Sequence, residues 1–515
     1  MNEKQTLAWQ LYEAGKDYKR RIGLYETVRR NERFYRGDHW QGSESDLPRP
    51  VFNLIRRITD YLVCSVLPGE LSIHYTDDKL PYLDSELLRQ RVTTGISILE
   101  SNAAYRWKRG NMRALMYKAL LNAAISGDGI FYCRWDPHAQ NGHPFAGEIR
   151  TELLDNTNLF VADVNSSNLQ EQDYLLLSGR ATVESLRQEA KENGLSAREI
   201  AEILPDTATA DSSAADLSSV ELQGAQKATY LIRFFREDGE VFFEKSTKTC
   251  MIRRVKTGLR HYPVAYFHWY PTKDCFHGNA PVSDMIANQK YINTAYAMAM
   301  KHMYDTAFSK VVYDKSRIPE WSNEVGEAIA AVGGGNVADA VSVLGVGKLQ
   351  EGYLDLLSNV VETTKSMMGA TESALGDEDA NNTSAILVLQ EASQLALHQV
   401  TADLCRCVGE LASIWADMLC TYCPSERPLP VSNGETVRAF APDYQLLKKE
   451  LLQATVTVTQ NDAYTPAATL TLLNKLLDGG HLSAEDYVQL LPNGTLTDRA
   501  VLLEKVRKKG TVKNE

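Results

Sequence analysis

From Ser384 to Thr421, apolar residues return at helical spacing, at Ile386, Leu389, Leu397, Val400, Leu404, Val408, Leu411, Trp415 and Met418. Glu391, Gln394, Glu410 and Asp417 take the opposite face, so the pattern predicts one amphipathic helix over 384–421. At 1.5 Å per residue it would run roughly 55 Å. An apolar stripe of that length has to be covered along its whole extent by other elements. The chain has 515 residues, more than one core normally organises, and two to four structural regions are expected.

The rest of the chain divides by period. Residues 5–36 carry Leu7, Trp9, Leu11, Tyr18, Ile22, Leu24, Tyr25, Val28 and Phe34 near helical spacing, as one long helix or two in series, ended by Gly37-Asp38. A helix at 51–66 stops at Pro68-Gly69, and 83–126 holds two more with Gly110-Asn111 as the joint. The period then changes. Strands are expected at 129–135, 146–153, 173–179, 228–236, 241–247, 249–255 and 262–269, with Asp238-Gly239 a hairpin signal. Helices at 182–193 and 196–203 and a surface loop at 205–220 interrupt them. After Pro281 the chain is helical again to about 305, with Ser283 as the expected N-cap and Asp284 in the first turn. A segment at 308–346 holds a strand at 310–313, a helix near 321–332 and Gly333-Gly334-Gly335. Helix resumes at 349–374 and, beyond a polar interruption at 376–383, in the long helix. A strand at 454–459 and helices at 465–478, 483–490 and 497–508 close the chain. The fold class is therefore α+β, predominantly helical.

Composition is that of a globular protein, 44% hydrophobic and 23% charged, which argues against long disordered tracts. No apolar run approaches the roughly 18 residues of a membrane span. Met1-Asn2-Glu3-Lys4-Gln5 lacks the apolar core of a signal peptide, so the expected compartment is a cytoplasm. Net charge is −11, unlike a sequence-specific DNA binder, whose affinity comes mainly from phosphate neutralisation. Cys405, Cys407, Cys420 and Cys423 read C-x-C-x12-C-x2-C, near a zinc spacing. On the expected helix, however, Cys405 and Cys420 would lie about 22 Å apart, and Cys405 and Cys407 would point roughly 200° apart. No metal site is expected.

No catalytic signature emerges. Gly345-Val346-Gly347-Lys348-Leu349 lacks the leading Gly of a P-loop, with Ser at 342, and Leu349 stands where Ser or Thr would hold magnesium. H-E-x-x-H, G-x-S-x-G and G-x-G-x-x-G are absent. Asp377, Glu378 and Asp379 are consecutive, whereas two-metal sites draw carboxylates from separate elements. The expectation is a protein without enzymatic activity and without a cofactor.

Four strings carry a resemblance. Asn31-Glu32-Arg33-Phe34-Tyr35-Arg36-Gly37-Asp38-His39-Trp40 follows the first helices, and Arg49-Pro50-Val51-Phe52-Asn53-Leu54-Ile55 comes after it. Ser126-Gly127-Asp128-Gly129 precedes an aromatic strand, and Gly278-Asn279-Ala280-Pro281-Val282-Ser283-Asp284, with Gln289, Ile292 and Asn293, opens the helix after it. In order and spacing these resemble the portal proteins of tailed bacteriophages. One departure is that the tunnel segment lacks an obvious proline kink.

The resemblance implies a portal fold: a wing at 1–280, a first stem helix at 281–305, a clip at 306–347 and a second stem helix at 348–374. A tunnel loop at 375–385, a long helix at 386–421, wing strands at 422–462 and a helical crown at 463–515 would complete it. It implies a ring, of 12 subunits in this family, with double-stranded DNA passing non-specifically along the axis. Further implied partners are the large terminase subunit, a head–tail adaptor, and the major capsid and scaffolding proteins. The place is the capsid portal vertex of the virion, after assembly in the host cytoplasm. The residues expected to meet DNA are Asp377, Glu378, Asp379, Asn381, Asn382 and Thr383; those expected to meet the clip's partners are Lys310, Lys315, Arg317, Trp321 and Lys348. A helical capsid scaffold or adaptor without a channel is the alternative.

Overall fold

Gly23, with φ 69°, divides the first helical stretch into Leu7–Arg21 and Leu24–Arg36. Thr6 caps the first by accepting from the Trp9 amide, and Gly37, with φ 92°, closes the second. The computed structural model describes residues 5–42, 47–206, 226–307, 311–343, 352–370, 397–432, 437–449, 452–459 and parts of 470–491, positions 69, 78, 84, 141–144, 323 and 325–328 excepted. Most of the expected 205–220 loop, all of 375–385, the start of the long helix and the helix at 497–508 lie outside the described residues. The chain forms two units, each discontinuous in sequence. One comprises Met1–Cys64, Leu115–Tyr132 and Thr151–Asp377; the other comprises Ser65–Ala114, Cys133–Arg150 and Glu378–Glu515.

The first unit is built on a five-stranded antiparallel meander, Leu159–Val161, Tyr174–Thr182, Lys227–Glu237, Glu240–Ser246 and Met251–Lys256. Asp238 and Gly239, at φ 51° and 78°, make the expected two-residue hairpin turn. Because side chains alternate between faces, Leu231 packs with Ala8, Tyr12, Phe160 and Leu176 on one side, while Ala228 and Ile252 pack with Val183, Leu186, Ala190 and Ile203 on the other. The helix Val183–Glu192 covers that second side. Nearby, the strand Asp128–Asp136 pairs antiparallel with Val264–His268, Asp128 lying opposite His268.

The chain then enters the 27-residue helix Pro281–Ala307, about 40 Å long. It starts at Pro281, whose fixed φ suits a first helical position. Ser283 is thus not the N-cap expected of it: it lies inside the first turn, where its hydroxyl accepts from Asn31 Nδ2 at 2.8 Å. The helix Gly352–Met367 returns antiparallel to it. Asn288 donates to Thr364 Oγ1 at 3.0 Å, Ile292 and Ala295 pack with Leu357, and the Tyr353 hydroxyl donates to the Ala295 carbonyl at 2.8 Å. Between these helices, Val311–Tyr313 pairs with Val341–Val343. The helix expected near 321–332 is not formed at the described positions 321, 322, 324 and 329–332. Instead Ser322 Oγ turns the chain by accepting from the Glu324 amide, and the Val332 amide donates back to the Arg317 carbonyl at 2.7 Å.

In the second unit the long helix is described over His398–Tyr422. Cys405, Cys407 and Cys420 stand along it and Cys423 just beyond, none of them in a disulfide. Its neighbour is an antiparallel pair, Glu70–Asp77 with Leu452–Thr459, in register from Glu70↔Thr459 to Asp77↔Leu452. Gly409 allows the close approach: a Cβ there would sit 2.8 Å from the Ala454 carbonyl oxygen. The Tyr75 hydroxyl fixes the same layer by donating to the Ala412 carbonyl at 3.0 Å. Glu86–Arg109 and the hairpin Leu429–Ser432 with Val437–Phe440 also belong to this unit, joined where Asn102 donates to the Pro430 carbonyl at 3.0 Å.

Candidate functional site

The helix Pro281–Ala307 springs from a cluster of buried polar side chains in the first unit. At its base lies Asp128, 1% exposed. One carboxylate oxygen accepts from the Gly278 amide at 2.9 Å; the other accepts from His277 Nδ1 at 2.7 Å and from Asn156 Nδ2 at 3.0 Å. Asn156 also donates to the Ser126 carbonyl at 2.8 Å. Lys19, on the first helix and equally buried, reaches the same loop. Its ammonium donates to the carbonyls of Asn156, Thr157 and Leu159 at 2.6, 3.0 and 2.6 Å, and stands 3.9 Å from the centre of the Phe160 ring. Three carbonyl acceptors match the three N–H groups of an ammonium. Burial pulls the Lys19 amine well below the usual lysine range, and the charge of Asp128 opposes that pull.

Further along the helix the network continues. Asn31 donates both to Ser283 Oγ and to the Ile125 carbonyl, each at 2.8 Å. Gln289 Oε1 accepts from the amides of Leu54 and Ile55 at 2.9 and 3.2 Å, two of the unpaired donors at the start of the Leu54–Val66 helix. Its Nε2 donates to the Phe52 carbonyl at 2.8 Å and to Asn293 Oδ1 at 2.9 Å. Asn293 Nδ2 then donates to His39 Nδ1 at 2.9 Å, which leaves His39 Nε2–H to donate to the Phe34 carbonyl at 2.8 Å. This assigns His39 as a neutral Nε2–H tautomer. The backbones close together as well: a Cβ on Gly127, at φ 96°, would fall 2.3 Å from the Gly278 carbonyl oxygen.

All four sequence strings therefore meet at one helix base, Asn31 and His39 from the first, Phe52 to Ile55 from the second, Gly127 and Asp128 from the third, and Gly278 to Asn293 from the fourth. What the cluster does chemically is fix direction. Most of its bonds hold one backbone segment against another, the loop before Pro281 against the Asp128 strand and the Leu54–Val66 helix against Gln289. Sequence reasoning quoted these strings but missed Lys19, Asn156 and His277. Lys19 lies in the run Asp17-Tyr18-Lys19-Arg20-Arg21, which reads as a solvated face, and Asn156 and His277 sit in connections with no periodic signal.

The residues expected to bind partners stand elsewhere. Trp321 stacks on Tyr313, ring centres 5.2 Å apart and planes 20° apart. Arg317 donates from Nη2 to the Asn336 carbonyl at 3.1 Å, and Lys315 is exposed. Lys310, Lys348 and the loop residues Asp377, Glu378, Asp379, Asn381, Asn382 and Thr383 lie outside the described residues.

Residues 249–467 match the family model of the phage P22-like portal protein. No curated protein matches the chain. The Gly278–Asn293 string falls inside the matched stretch, and the other three, which precede it, are tied to it by the bonds above.

The junction predicts a pH dependence of stability. Burial lowers His277 and His39 from the ordinary imidazole value of 6.5; for His277 the charge and hydrogen bond of Asp128 oppose the shift and the charge of Lys19 adds to it. The unfolded chain takes up these protons at a higher pH than the folded one, so stability present above 6.5 is lost as pH falls through the folded-state values. The thermal midpoint should drop between about pH 7 and about pH 5, and less steeply in the His277→Gln, His39→Gln variant. An equal slope in both proteins would contradict this. Asp128→Ala leaves three buried donors unpaired and should destabilise by roughly 3–5 kcal/mol in urea unfolding; a loss under about 1 kcal/mol would show the cluster to be slack.

Proposed function

We propose that this chain, a tailed-phage portal protein by that match, is one subunit of a ring enclosing the channel through which the genome enters and leaves the capsid. The observation that carries the reading is the convergence of the four strings at the root of an antiparallel helix pair. In this reading Pro281–Ala307 and Gly352–Met367 are the stem, the wing supplies the junction that aims them, and the insert between them is the clip.

The stem pair leaves apolar side chains uncovered. Tyr291 and Met298, seven residues apart and so on one face of Pro281–Ala307, are 47% and 53% exposed, and Leu354 and Leu356 on the return helix are 55% and 50% exposed. Copies set side by side would bury those faces through one heterologous contact repeated until it closes. A net charge of −11 disfavours tight salt-bridged capture of phosphate, so DNA slides rather than sticks. The loop with Asp377, Glu378, Asp379, Asn381, Asn382 and Thr383 would form the collar around the DNA. The subunit works without chemistry of its own, and the packaging ATPase, the large terminase subunit, docks as a separate protein. The virion vertex is its place, with the head–tail adaptor taking the terminase's place at the clip after packaging.

Light scattering tests the ring contact. Wild-type protein at micromolar concentration should run as a very large assembly, and Tyr291→Glu with Met298→Glu should shift it to subunits while keeping the circular dichroism spectrum. A wild-type monomer or dimer would favour the helical scaffold or adaptor instead. At the clip, Trp321→Ala with Arg317→Ala should leave the assembly intact and weaken packaging by at least tenfold; unchanged packaging would remove the clip from the docking surface.

A further inference from the structure

In the first unit, a cavity of about 300 Å³ opens beside the helix junction, walled by Arg30, Arg33, Trp40 and Lys290 over a floor of Phe34, His39 and Asn293. That volume is at the lower end of what small-ligand sites enclose. Arg30 and Arg33 stand three residues apart on Leu24–Arg36, spacing that brings side chains to one face. Lys290 comes from the Pro281–Ala307 helix, its ammonium 5.6 Å from the centre of the Phe34 ring. The Phe34 and His39 rings stack 5.0 Å apart, planes at 18°, and both residues are buried.

The charges do not cancel. Arg33 is held by Asp38, Nε to Oδ2 at 2.8 Å, which fixes its guanidinium. Arg30 and Lys290 are exposed and make no ion pair among the described residues. Two uncompensated cations and one oriented guanidinium thus border a single pocket on a chain of net charge −11. A carboxylate offers two oxygens, enough for one guanidinium fork. A phosphate offers oxygens on several sides and can meet cations approaching from two helices.

We propose that this pocket binds a phosphate group, supplied either by a free phosphate or mononucleotide or by a nucleic-acid backbone. The inference goes beyond the portal reading and does not depend on ring closure. Trp40, its indole N–H donating to the Pro50 carbonyl at 2.9 Å, is fixed in the wall and gives a base or sugar attached to that phosphate an aromatic surface.

The test uses the purified full-length chain at constant ionic strength. Inorganic phosphate and deoxyadenosine monophosphate are titrated by calorimetry, and short labelled single-stranded and duplex DNA by fluorescence anisotropy. Arg30→Gln with Lys290→Gln, both exposed and so tolerant of substitution, is compared with Lys191→Gln with Arg198→Gln, which removes the same charge elsewhere. At least one probe should bind wild-type protein and the control alike, and at least tenfold more weakly to the pocket variant. Binding of the phosphate and mononucleotide identifies the free ligand as the source; binding of DNA alone identifies the backbone. If no probe binds wild-type protein, or the pocket variant binds as the control does, the proposal is overturned.

Discussion

The buried carboxylate of Asp128 is the constraint from which the first unit is organised. A 1%-exposed acid is tolerable only when its oxygens are taken up, and here an imidazole, a side-chain amide and a backbone amide share that work. Two of these partners, His277 and Gly278, stand immediately before Pro281, and the third, Asn156, lies in the loop that Lys19 draws in by its flanking carbonyls. Moving any of them would strand a buried donor or charge. The start of the Pro281–Ala307 helix is therefore tied at once to the first helix, to the Asp128–Asp136 strand and to the meander.

From that root the helix pair acquires its direction. Gln289 sits two turns above the base and satisfies the amino end of a different helix, while Asn293 and His39 extend the same chain of bonds. Hydrogen bonds between defined donors and acceptors fix a single geometry, which apolar packing alone would specify less sharply. A subunit that must repeat around a closed ring has need of that, because an error in helix direction would recur at every interface. The portal reading and the junction thus support each other: the family match covers the helix pair, and the bonds bring the preceding 248 positions' characteristic strings to it.

Much of this was legible in the sequence. Many helices and strands followed their periods, and the glycines at 37 and 110 marked breaks, because each is a local property of the chain; the pattern over 5–36 leaves the break at Gly23 open. The order and spacing of the four strings already resemble those of tailed-phage portal proteins, and the family match over 249–467 contains the last of them. What stayed hidden was non-local. The Glu70–Asp77 strand finds its partner some 380 residues later at Leu452–Thr459, and nothing near either strand announces the other. Ser283 resembled an N-cap because Ser is favoured there, but Pro281 begins the helix and Asn31 claims the hydroxyl. The pattern at 321–332 suggested a helix, but the chain there is pinned back to Arg317. Lys19 looked like one more solvated cation, since burial of a charge is decided by carbonyls that lie about 140 residues away.

Electron microscopy of the purified full-length protein tests the central claim most directly. The account predicts class averages of a closed ring with rotational symmetry and a central channel wide enough for duplex DNA, with the stem helices lining it. Particles of one or two subunits, or assemblies without an axial opening, would contradict it.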